Sequence, residues 1–287
     1  PIRFVMEATG VYHESLAYYL DDHGLEVSII TPNKISNYAR TLDVKTVTDK
    51  TASEAITLFG LERNLEKWKR PNSLFKRLRQ LTRERDQLVQ LRTIAKNQLH
   101  AELVEAEPNS SSVARMKKQI AFFNKQELEI SSEIVELSKQ DEKVSGAIKI
   151  ICSLPGVGML TAVTVLAETN GFELIRNKRQ LTSYAGLDVK EKQSGTSVKG
   201  KPRISNQGHK YLRKAMHLPA LTAIRLDERH KAIFARLVSR HGIKMKAVVA
   251  VERKLLEMIY TLYKTNKQYD KEYLKKTEVN FKEEVTV

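Results

Sequence analysis

The sequence predicts a mixed fold: a short α/β segment, a pair of long helices, and a mostly α C-terminal segment. Three observations carry that expectation. Two apolar runs of strand length flank a helix-period stretch near the N-terminus. From Leu74 to Leu137 the apolar residues recur at three and four, and beyond Lys143 helical patterns alternate with glycine turns. A chain of 287 residues has length for about two domains.

In order, Ile2–Met6 reads as a strand ending in Glu7, Ser15–Leu20 opens a helix, and Glu26–Ile30 reads as a second strand closed by Thr31 and Pro32. Two strands of a βαβ unit do not make a stable sheet alone. Residues 1–70 are therefore expected to be a partial domain, with the chain starting partway through it. Leu74, Leu78, Leu81, Leu88, Leu91, Ala95 and Leu99 then keep helical spacing with Arg and Lys between them. Pro108, Asn109 and Ser110–Ser112 break the stripe, which resumes through Met116, Ile120, Phe123, Ile130, Ile134 and Leu137. Residues 72–142 are expected to form a long antiparallel helical hairpin of coiled-coil type. Residues 143–270 are expected to be mostly helical, with an apolar helix at Thr161–Glu168 and a buried one at Lys246–Tyr263. Between them Asp188–Gln207, rich in Lys, Gly and Ser and without periodicity, is expected as an exposed loop. A charged, poorly ordered tail at 271–287 closes the chain.

The charge balance points to a polyanion. There are 49 Lys and Arg against 34 Asp and Glu, a formal +15. No apolar run approaches the roughly 18 residues of a spanning helix, and the first residues lack the layout of a signal peptide, so no membrane partner is expected. The single cysteine, Cys152, offers no internal disulfide or Cys-based metal site and fits a reducing cytoplasm.

Three groups of residues could carry chemistry. The LPGVG turn, Leu154–Gly158, would aim the N–H groups of Gly156, Val157 and Gly158 at a phosphate, although such a turn also simply joins two helices. Glu7 at a strand end and Asp49 in the run KTVTDK suit Mg²⁺, although acids there also serve as caps. A serine hydroxyl needs a base or metal to take its proton and cations to steady the phosphate it attacks. Ser194 has Gly195 beside it and Lys199, Lys201, Arg203, Lys210 and Arg213 nearby, while Ser197 and Ser205 would serve equally on chemistry alone.

Several runs occur in one order: EATGVY at Glu7–Tyr12, Thr48–Asp49, LPGVG, SYAGL at Ser183–Leu187, Ser194–Gly195, and IS-x-x-G-x-x-x-LR from Ile204 to Arg213. On these the chain resembles the insertion-sequence transposases of the IS-one-ten family, DEDD type, over nearly its whole length. The resemblance implies a RuvC/RNase H-like N-terminal domain with four metal-binding acids, here truncated. It also implies a C-terminal domain with a helix-hairpin-helix-like PGVG turn and a serine that attacks DNA. Glu7 then matches the second acid, Asp49 the third, and Ser194 the nucleophile. The first acid would precede this chain, and the fourth position is Ala52, roughly 60° around a helix from Asp49. Glu54, about 140° away from Asp49, does not replace it.

The implied function is DNA cleavage and strand transfer through a 5′-phosphoserine link at Ser194, with Mg²⁺ at Glu7 and Asp49. The implied partners are DNA, an element-encoded guide RNA and further copies of the chain, as a dimer or tetramer, in the bacterial cytoplasm or nucleoid. Two other readings compete. One is a remnant that binds nucleic acid without cutting it, and the other is a structure-specific, metal-dependent nuclease that uses water.

Overall fold

A computed structural model describes residues 2–42, 46, 48–173, 175–191, 193–194, 198–200 and 202–272. The chain divides into two compact units, Pro1–Pro71 and Asn72–Val287.

In the first unit β1 (Arg3–Glu7) and β2 (Glu26–Ile30) pair in parallel, Arg3 opposite Glu26 and Glu7 opposite Ile30. The crossover is α1 (Glu14–Asp22), which presses Ala17 and Leu20 onto Val27 beside Met6, Leu25, Ile29 and Trp68. This is the βαβ unit that the alternating apolar runs predict. Two further helices follow. Pro32 presets the backbone at the first position of α2 (Pro32–Thr41). A reciprocal pair of bonds between Thr48 and Thr51 caps α3 (Asp49–Glu62). Gly60 lets α3 close on the sheet, since a Cβ there would come within 2.9 Å of Val5 Cγ2. Past α3 the chain returns beside β2, Trp68 N–H donating to Val27 O at 2.7 Å and Ser28 Oγ–H to Glu66 O at 3.0 Å.

The second unit opens with α4 (Ser73–Val104) and α5 (Ser110–Lys139), whose first-turn N–H groups are accepted by the side chains of Asn72 and Asn109. Arg77 pairs with Glu133, Arg85 with Glu127, and Arg92 with Asn124, so the two helices run antiparallel. Phe75, Leu78 and Leu81 of α4 and Ile130, Ile134 and Leu137 of α5 join the main core. Then come α6 (Glu142–Cys152), α7 (Met159–Glu168) and α8 (Lys178–Ala185), and later α9 (Lys210–Leu226), α10 (Glu228–His241) and α11 (Lys244–Thr265). Ala162, Val163, Val165, Leu166 and Ala167 make α7 the center of the core, with Met216 of α9 and Leu255 and Ile259 of α11 packed in the same cluster. Each such aliphatic side chain, fully buried, contributes about 1.5–3 kcal/mol.

The stretch Asp188–Gln207 corrects the loop expectation. β3 (Val189–Lys190) pairs antiparallel with β6 (Arg203–Ile204), and β4 (Gln193–Ser194) with β5 (Val198–Lys199). Ladders of two residues are too short to leave the alternation that marks a strand in sequence. Lys201, Gly195, Ser197 and the tail beyond residue 272 lie outside the described residues.

A polar pin closes the second unit. Asp227 caps α10 by accepting His230 N–H at 3.1 Å and faces its Nδ1 at 2.6 Å. Tyr269 O–H donates to the same carboxylate at 2.9 Å, and Tyr269 N–H to Ser153 Oγ at 2.8 Å. Burial pushes the Asp227 carboxyl up, but the His230 and Tyr269 donors prevail and hold it below the usual carboxylate range. Burial, then the bond to Asp227, pushes Tyr269 up to about 12. A group raised in the fold contributes stability that is present below its unfolded value, about 10, and is lost as pH rises through about 12. Tyr269→Phe is expected to remove this alkaline dependence. Urea melts of the two proteins should converge over that window, and parallel curves would refute the assignment.

Candidate active site

Ser194 lies exposed on β4, opposite Val198, and none of the described residues hydrogen-bonds its side chain. The ribbon that carries it is held at its base. On one leg Ser205 N–H donates to Asp188 O at 2.9 Å, and Ser205 Oγ–H donates to the Asp188 carboxylate, whose other oxygen lies 3.5 Å from Ser183 Oγ. Below this His209 N–H donates to Tyr184 O at 2.8 Å. Gly186 ends α8 at φ +70°, and Gly208 fits against it. A Cβ on Gly208 would sit 2.5 Å from Gly186 N and 2.6 Å from Tyr184 O. SYAGL and IS-x-x-G-x-x-x-LR are thus the two halves of one clasp, far apart along the chain and in backbone contact in the fold. Ser205, left open as a nucleophile by the sequence, is engaged with Asp188.

Beneath the clasp is a charged node that sequence reasoning missed. Glu168 ends α7 with its side chain 1% exposed and accepts Nε and Nη2 of Arg83 from α4, both at 2.8 Å. His209 Nε2 faces the same carboxylate at 3.2 Å, and Tyr184 O–H donates to Glu168 O at 3.2 Å. The Tyr184 and His209 rings stack at 5.5 Å, and the Arg83 guanidinium lies 4.7 Å over the Tyr211 ring. Burial lowers the His209 pKa, Glu168 opposes this and Arg83 adds to it. The available sequence signal was a glutamate in an otherwise apolar helix, which has to find a cation when the helix is buried.

The other residues expected at nucleic acid separate into two sets. Gly156 has φ +87° and packs on α9, where a Cβ would come 2.5 Å from Pro219 O, and Val157 is buried. Both fasten the turn to the core. Gly158, the N-cap of α7, is exposed and has open space beside it. Arg213, half-buried, donates one N–H to Ala185 O at 2.8 Å, within the clasp. Arg203 and Lys210 are exposed, and Lys199 lies on β5.

In the first unit Glu7 ends β1 and accepts Thr9 Oγ1–H at 3.2 Å. It lines a cavity of about 430 Å³ together with Arg40, Thr51 and Ala52. Asp49 is exposed at the first position of α3. Ala52 therefore opens onto the Glu7 cavity with a methyl group. Among the described residues no three His, Cys, Asp or Glu side chains gather as a metal site. A divalent ion that keeps its waters needs only one or two carboxylates, whereas a paired-metal cage needs more.

Arg83→Ala is expected to cost about 3 kcal/mol, because it leaves the Glu168 charge buried without its cation. Adding Glu168→Gln should recover much of that loss. Urea unfolding checks both, and additive costs would refute the pairing.

Residues 1–108 match a DEDD transposase family of the IS110 type, and residues 148–235 match the transposase family IS116/IS110/IS902, together more than half of the chain. The pilin gene-inverting proteins of Moraxella bovis and Moraxella lacunata are each 26% identical over 272 residues, 94% of this chain and 82% of theirs. An uncharacterized 43.6 kDa protein of insertion element IS110 from Streptomyces coelicolor is 26% identical over 121 residues, 42% of this chain and 30% of its own. Glu7 and Asp49 fall in the first matched region, and Glu168, Ser194 and His209 in the second. The chain belongs to the IS110 family of transposases, the IS-one-ten family of the sequence motifs, and is a DNA transposase or recombinase.

Proposed function

We propose that Ser194 is the nucleophile with which this transposase cuts and rejoins DNA. The observation that supports this most is the exposed hydroxyl of Ser194 on a ribbon fixed at its base, with Arg203 and Lys210 exposed in the same segment. Ser194 Oγ gives up its proton to a base and attacks phosphorus. The bond to the 3′-oxygen breaks, that oxygen leaves as a hydroxyl, and the 5′-phosphate stays on the serine. Attack by the 3′-hydroxyl of another strand reverses the step and joins the new strand, so the phosphodiester energy is conserved. The clasp keeps Ser194 from swinging away between the two attacks. Arg203 and Lys210 offset the charge on the phosphoryl oxygens. A divalent ion at Glu7 and Asp49, taken as Mg²⁺, would supply Lewis-acid stabilization of a phosphoryl oxygen.

In this reading the first unit is the RuvC-like part, α4 and α5 are the arm that joins copies into a dimer or tetramer, and an element-encoded RNA selects the DNA. The formal charge of +15 suits both nucleic acids. The site of action would be the bacterial cytoplasm.

Incubation with element-end DNA and Mg²⁺ should give a covalent protein–DNA adduct that survives denaturation, and Ser194→Ala should abolish it. Cleavage that persists in Ser194→Ala would assign the nucleophile to water, as in a nuclease. Salt-sensitive binding without cleavage in either protein would mark a remnant. Because Ala52 opens onto the Glu7 cavity, Ala52→Asp is expected to lower the Mg²⁺ concentration for half-maximal adduct by about tenfold.

A further inference from the structure

A groove beside the clasp shares only Arg203 with this chemistry. β3 and β6 form one wall and the first turns of α11, with Ile243 just before them, the other, around about 630 Å³. That volume lies in the usual range of small-molecule sites, about 300–1,000 Å³. Leu187, Val189, Ile204, Met245 and Val249 make an aliphatic lining, and Arg203, Lys246 and Arg253 add cations, with no carboxylate among the lining residues. Arg253 is held by Glu257 at 3.0 Å, whereas Arg203 and Lys246 have no acidic partner among the described residues. Arg240 and Lys244 extend the exposed positive charge along the turn between α10 and α11. Partial desolvation, then the charges of Lys246 and Arg240, hold His241 below its usual range. Within this basic surface Ile243 and Met245 leave 57% and 58% of their area exposed.

A basic rim around an apolar floor selects among polyanions. Duplex DNA keeps its base faces inside its own stack and presents phosphates, so the floor would stay unfilled. An unpaired nucleotide has a flat apolar face and a phosphate on one unit, which matches both parts of the groove. We propose that this groove binds an unpaired nucleotide of a DNA or RNA strand, its base against Ile204, Met245 and Val249 and its phosphate at Arg203 and Lys246. Ser194 follows β3 by four residues, so a strand seated here would lead to the reacting serine. That last placement rests on the nucleophile assignment, while the binding itself does not.

The test uses the full chain carrying Ser194→Ala, so that no cleavage intervenes, and fluorescence anisotropy with oligothymidine, oligouridine and a duplex. Ile243→Asn with Met245→Gln removes exposed apolar surface and no charge. It is expected to weaken the unpaired oligonucleotides about tenfold and leave the duplex unchanged. Lys246→Ala should weaken them too and lower the salt slope by about one. Thermal melting followed by circular dichroism confirms that each variant is folded. Equal loss for duplex and unpaired strands, or no loss for either, would overturn the proposal. So would a change in sedimentation without nucleic acid and with unaltered oligonucleotide binding, which would give the groove to a second copy. A preference between oligothymidine and oligouridine identifies which strand it holds. Failure of the nucleophile assignment would instead show as a missing adduct in the unsubstituted protein.

Discussion

A carboxylate removed from water must find a cation or a set of donors, and Glu168 finds both. Its carboxylate recruits partners from α4 and the start of α9, and its backbone carbonyl accepts one from α8, so this one residue ties four segments of the second unit together. The bidentate geometry matters as much as the charge. Two parallel N–H···O bonds fix the plane of the Arg83 guanidinium, which in turn lies on the Tyr211 ring. Without a compensating cation the apolar packing of α7 would have to take in an unpaired anion, which costs more than the packing of a side chain or two contributes.

The clasp is built on that node. Tyr184 and His209 stack directly over it, and their backbones are hydrogen-bonded to one another. Two glycines allow the end of α8 and the segment before α9 to approach more closely than any Cβ would permit. The ribbon therefore combines a tightly packed base with an exposed serine near its tip. This combination suits the nucleophile proposed above, which must be open to the substrate and hold one phosphate through both steps with little freedom of its own. In the first unit the comparable constraint is the capped start of α3, which sets Asp49 and Ala52 one turn apart, with Ala52 opening onto the cavity that Glu7 lines.

Much of the helical framework was visible in the residues. The leucine spacing from Leu74 marks α4, because a helix buried on one face repeats with its own period, and the apolar runs Ile2–Met6 and Glu26–Ile30 mark β1 and β2 by their length. The ribbon was not visible, since two-residue ladders leave no period. Nor were the separate duties of neighboring motif residues. Gly156 and Gly158 look alike in PGVG, yet one packs on α9 and the other is open. Arg203 and Arg213 look alike as cations near Ser194, yet Arg203 is exposed and Arg213 is half-buried with one N–H on a backbone carbonyl.

The sequence by itself determined the positive charge, the helix and strand periods and the order of the motifs, and with them the family resemblance. Those properties are local or additive, so they can be read without knowing what packs on what. Only the tertiary structure decided which motif residues meet. The Tyr184–His209 stack, the Gly186–Gly208 contact and the Arg83–Glu168 pair join residues 25, 22 and 85 positions apart. Contacts of that kind depend on how helices pack, which no periodicity records.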